Sequence, residues 1–87
     1  MRLALDYDQT YTVDPEFWDA FMANAQVRGH EIICVTMRGP QAKVPMNCPI
    51  VYTSGEAKVP FCEQHGIKVD VWIDDQPYRL VEGAVAN

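Results

Sequence analysis

The chain has 87 residues, with 7 basic against 12 acidic side chains and a formal charge of −5, so it is bounded to a single domain, residues 1–87, whose small core buries about 60–65% of the unfolded surface. A hydrophobic share of 48% with 22% charged residues excludes a disordered chain, and the acidic balance excludes a general nucleic-acid binder, which shows a basic face. No Lys/Arg cluster offers itself to an anionic membrane, and no apolar run reaches the roughly 18–20 residues of a membrane span.

Three widely spaced cysteines, Cys34, Cys48 and Cys62, form no CxxC pair, which argues against a disulfide framework and for a reducing compartment. The N-terminus turns acidic at Asp6 after a few apolar residues, far short of a signal peptide. The expectation is a soluble cytoplasmic protein, complete or nearly so, with no membrane partner.

Leu3-Ala4-Leu5 is a short apolar run ending in an acidic cluster, the pattern of a buried strand. Asp14-Pro15 then predicts a helix start, and Phe17, Trp18, Phe21, Met22 and Ala25 recur at helical spacing up to a stop at Gly29. Of these the aromatic set is expected in the core. A second buried strand is predicted from Glu31 to Thr36, broken by Gly39-Pro40. Pro40, Pro45 and Pro49 make the next stretch irregular or at most one weak helical turn. Ile50-Val51-Tyr52 is a third strand, a short helix is predicted from about Lys58 to Gln64, and Val69 to Ile73 forms a fourth strand. Gln76-Pro77 opens a last short helix carrying Tyr78, Leu80 and Val81.

Nearly continuous apolar strands alternating with helices predict a parallel sheet covered on both faces, with right-handed crossovers. Ligands in such folds sit outside the carboxyl ends of the strands. The first strand ends at Asp6-Tyr7-Asp8-Gln9-Thr10, the second at Thr36 with Arg38 beyond, the third leads to Lys58, and the fourth ends at Asp74-Asp75. Four acids, a threonine and a lysine therefore share one sheet edge. That set suits phosphoryl transfer with Mg2+, an ion that takes hard oxygen ligands and keeps several waters. One carboxylate can act as nucleophile, another two residues on can move a proton, and Thr36 and Lys58 can hold phosphoryl oxygens.

Asp6-x-Asp8-x-Thr10, Thr36, Lys58 and Asp74-Asp75, in this order at the ends of successive elements, resemble the four motifs of the haloacid dehalogenase (HAD) superfamily. The resemblance implies a three-layer α/β sandwich on a small parallel Rossmann-like sheet of about four strands in the order 3-2-1-4. It implies Asp6 as nucleophile, Asp8 as general acid/base, and Thr10 orienting the acid/base residue. Mg2+ would be held by Asp6, the backbone carbonyl of Asp8 and Asp74, with Asp75 assisting, and Thr36 and Lys58 would hold the phosphoryl group. The intervals that carry cap domains in the family hold one helix and one proline-rich loop, so a capless core with an open site is expected. Such a site admits a bulky phosphorylated substrate, a macromolecule or nucleic-acid end, or is closed by a second copy, since exposed strand edges invite a homodimer.

Several residues carry two readings. Asp75 is either part of the metal shell or the N-cap of the helix opening at Pro77. Arg38 either meets substrate phosphate or is a surface arginine, and Lys43 competes weakly with Lys58. Cys62-x-x-His65 is half a zinc site at best. His30 and His65 stand beside helix-ending glycines, where they are expected to meet free carbonyls. Tyr7 and Tyr11 flank the acidic motif as possible substrate contacts. A non-catalytic module that keeps the phosphate site for binding is the alternative to an enzyme. A two-component receiver domain also gathers Asp, Thr and Lys around Mg2+, but there the acidic pair lies on the first strand, whereas here it closes the series.

Overall fold

Parallel strands need long crossovers, and each interval of this chain supplies one. The computed structural model describes residues 1–84. It contains β1 (Arg2–Leu5), a 3-10 turn (Tyr11–Val13), α1 (Pro15–Val27), β2 (Glu31–Thr36), β3 (Ile50–Tyr52), α2 (Lys58–Gln64), β4 (Val71–Ile73) and a second 3-10 turn (Pro77–Leu80). The four strands form one sheet in the order β3-β2-β1-β4, and every pairing is parallel. β1 is central, with Leu3, Ala4 and Leu5 each aligned with a β2 residue on one side and a β4 residue on the other. No helix among the described residues is long and apolar enough to cross a membrane.

Alternation along each strand splits the core in two. Leu3, Leu5, Ile32 and Cys34 point to one side, where they meet Met22 and Ala25 of α1. Ala4, Ile33 and Val35 point to the other and meet Cys62 of α2. α1 starts where the sequence predicts, because the Asp14 carboxylate accepts from the Phe17 amide at 3.3 Å and Pro15 suits the first turn.

Three expectations need correction. Phe17 is 57% exposed, and the first side of the core is closed instead by Val44 and Met46 from the proline-rich loop. That loop has no helical turn, and it is tied down where the Val44 amide donates to the Tyr52 hydroxyl at 3.1 Å. β4 begins two residues later than predicted, at Val71. Ahead of it the Asp70 carboxylate accepts from the Arg2 amide at 2.8 Å, a side chain standing in for a ladder acceptor. His65 does meet a helix carbonyl, that of Phe61, but His30 lies against the N-terminal amine at 3.0 Å.

Candidate functional site

The carboxyl ends of β1, β2 and β4 open on one side of the sheet, and the side chains just past them converge. A cavity of about 120 Å3 is lined by Asp6, Asp8, Thr36, Met37, Lys58, Asp74, Gln76 and Arg79. Asp6 continues the ladder of β1, since its amide donates to the Ile73 carbonyl at 3.0 Å. Its carboxylate is thereby fixed beside that of Asp74, which follows Ile73.

Lys58 is the hub. As the first residue of α2 it reaches back under the sheet edge, where its Nζ donates to Asp6 at 2.7 Å and to Asp74 at 2.5 Å. The lysine side chain is 3% exposed and those of Asp6 and Asp74 are 9% and 4%. Buried charges at such separations interact strongly because little water screens them. Burial pushes the Asp6 carboxyl up to about 6 despite the opposing bond from Lys58, and the neighbouring Asp74 charge adds to the rise. Burial works against the Lys58 ammonium, but its bonds to the two carboxylates outweigh it and hold the group above its ordinary value.

Thr10 ties the two acidic strand ends together. Its hydroxyl lies 3.0 Å from a carboxylate oxygen of Asp75 and 3.2 Å from one of Asp6, and it accepts from the Asp75 amide at 3.2 Å. Thr10 thus positions Asp6 and Asp75, and no hydrogen bond joins it to Asp8 among the described residues. Asp75 does not cap the last turn: Gln76 stands at that position, its amide donating to Asp74 at 2.9 Å. Of the two readings of Asp75, the helix cap is therefore removed.

Asp8 belongs to a second, outer pair. Arg38 donates to it through Nε at 2.9 Å and Nη2 at 2.7 Å, a two-point fork, and the guanidinium lies 5.1 Å from the Tyr7 ring centre. The fork holds the Asp8 carboxyl below its ordinary value. Arg38 is thereby engaged with Asp8 and does not line the cavity, whereas Thr36, 1% exposed, does. Tyr7 and Tyr11 stack on each other at 5.8 Å, and neither lines this cavity. Tyr11 instead donates to Asp19 at 2.8 Å and lines a larger cavity of about 350 Å3 between α1 and the proline-rich loop. Lys43 does not line this cavity, and Cys34 and Cys62 lie on opposite sides of the sheet, which leaves Cys62-x-x-His65 without the rest of a zinc set.

Oxygens of Asp6, Asp74 and Asp75 lie within 4.8 Å of one another, so the three can ligate one ion. The donors are all hard oxygens, the set a small divalent cation prefers. Four acids (Asp6, Asp8, Asp74, Asp75) face two bases (Lys58, Arg38), which leaves a formal charge of −2 for a cation to offset. The residues present fit a divalent ion.

Three lining residues, Met37, Gln76 and Arg79, escape the motif reading. Met37 directly follows β2, and for Gln76 and Arg79 the signal available is Pro77, which opens a turn directly after the β4 acids and carries the next basic residue toward them. Comparison with known proteins finds no protein family, no curated protein and no solved structure that matches this chain.

Proposed function

We propose that the protein is a Mg2+-dependent phosphatase that hydrolyses phosphomonoesters through an aspartyl-phosphate on Asp6. The observation that carries this reading is the shared cavity: Asp6, Asp8, Thr36, Lys58 and Asp74, from four separate segments, line one space of about 120 Å3. With it goes the resemblance to the haloacid dehalogenase superfamily and a three-layer arrangement without a cap.

Mg2+, when bound by Asp6, Asp74 and the Asp8 carbonyl with Asp75 assisting, supplies positive charge against the phosphoryl oxygens. Lys58 and Thr36 hold those oxygens as negative charge builds on them. An Asp6 oxygen attacks phosphorus, the ester P–O bond breaks, and Asp8 gives its proton to the leaving oxygen. Asp8 then takes a proton from the water that attacks the aspartyl-phosphate, orthophosphate leaves, and the Asp6 carboxylate is restored. Asp8 acquires its first proton only when Arg38 lets go of it, and the incoming phosphoryl group offers Arg38 a competing anion. With no cap, the leaving group extends into solvent, which accommodates a bulky phosphorylated substrate; an acceptor other than water would make the same intermediate a phosphotransfer.

The test is phosphate release from a generic aryl phosphate, with Mg2+ and with chelator. Release should require Mg2+ and fall by at least ~10^3-fold in Asp6→Asn, as when a nucleophile is removed from other covalent hydrolases. Undiminished release in that variant would sink the assignment. The fork of Arg38 on Asp8 favours one second reading, a non-catalytic phosphate-binding module, because a clamped Asp8 exchanges no proton. Binding of beryllium fluoride without any turnover would select it.

A further inference from the structure

Arg79 stands apart from the other cations around the cavity. Lys58 is shared by two buried carboxylates and Arg38 is forked onto Asp8. Arg79 lines the cavity with Asp6, Asp8 and Asp74, yet it joins no ion pair among the described residues. It is nonetheless held in place. One guanidinium nitrogen donates to the Gly83 carbonyl at 3.0 Å, and the group lies 5.1 Å from the ring centre of Tyr78.

The segment that carries Arg79 is itself anchored. The Ala84 amide donates to the Gly55 carbonyl at 2.8 Å. Gly83 packs so closely that an added Cβ would sit 3.0 Å from that same carbonyl oxygen. The chain after β4 is thus folded against the loop that leads into α2, and Arg79 is held among the residues that line the cavity. An arginine that spends one of five donors on the backbone keeps the others, in a rigid fork, for an anion.

We propose that Arg79 is a phosphate-binding residue that joins Lys58 and Thr36 in holding the phosphoryl group. This rests on the phosphatase reading and deepens it by naming a further residue of that site. The cavity has a volume of about 120 Å3. Counting Arg79, the formal charge of the lining is −1, and a bound divalent cation makes it positive, which suits a dianion.

The experiment is titration of inorganic phosphate into the full chain with saturating Mg2+, alongside Mg2+ titration without phosphate, for wild type, Arg79→Gln and Arg79→Lys. Phosphate affinity should fall roughly 10- to 100-fold in Arg79→Gln, the loss of charge-assisted bonds. Arg79→Lys should recover only part of it, because an ammonium lacks the fork. Mg2+ affinity should hold or rise, since a positive neighbour is gone. Equal phosphate affinity in Arg79→Gln and wild type overturns the proposal and leaves the phosphatase reading intact. Phosphate and Mg2+ affinities falling together, with a lower unfolding midpoint, overturn it in favour of a structural role. A wild type that binds no phosphate overturns both.

Discussion

Asp6 ionises late because the fold withdraws it from water faster than Lys58 can compensate. A folded-state value of about 6 lies above the ordinary 3.8, so the folded chain holds the proton more tightly than the unfolded chain. Its contribution to stability is complete below the ordinary value and is lost as pH rises through the folded one. The cation-free protein should therefore lose thermal stability between about pH 4 and pH 6.5 relative to Asp6→Asn, which has no such proton. Saturating Mg2+ should reverse the trend above pH 6, because the ion takes only the ionised carboxylate. Melting curves of both proteins across that range, with chelator and with Mg2+, check this; a difference curve flat with pH, or rising, contradicts it. The same proximity explains why the Asp8–Arg38 pair escapes sequence reading. Two residues 30 positions apart reveal their fork only once β1 and β2 are aligned, and either one alone reads as exposed and available.

At the scale of elements, the two helices have different duties although both cover the sheet. α1 is long, capped by Asp14, and delivers no side chain to the cavity. Asp14→Ala should cost about 1 kcal/mol of stability in urea unfolding and leave phosphate release per folded molecule unchanged. α2 has seven residues and no side-chain cap, so it is held by the burial of Cys62, 1% exposed, and by the ion pairs of Lys58. Cys62→Ser places a hydroxyl in an apolar seat, should cost about 1–3 kcal/mol, and should also slow turnover, because Lys58 moves with the helix. Turnover unchanged per folded molecule in Cys62→Ser would show that α2 does not set the lysine. These helices were legible because Asp14-Pro15 and the apolar spacing state α1 locally, and Gly66 closes α2. The exposure of Phe17 was not legible: which face of an aromatic helix is covered depends on the width of the sheet below, and β3 and β4 have only three residues each. Val44 and Met46 from the proline-rich loop join α1 in covering that side of the sheet.

Over the whole molecule, the excess of acid is concentrated rather than spread. Asp6, Asp8, Asp74 and Asp75 stand at one sheet edge, and without them 8 acids would face 7 bases. That edge was legible because each acid directly follows an apolar strand, and parallel topology sends all such positions to one side. Arg79 was not, since its place depends on a tail folding back through Gly83 and the Gly55 carbonyl, contacts with no local signature. Covalent phosphorylation of Asp6 should be visible in the intact mass of acid-quenched protein during turnover of an aryl phosphate with Mg2+. The wild type should gain the mass of one phosphoryl group, longer-lived in Asp8→Asn and missing in Asp6→Asn. An adduct that persists in Asp6→Asn, or metal-dependent turnover by the wild type with no adduct at any time, would contradict it.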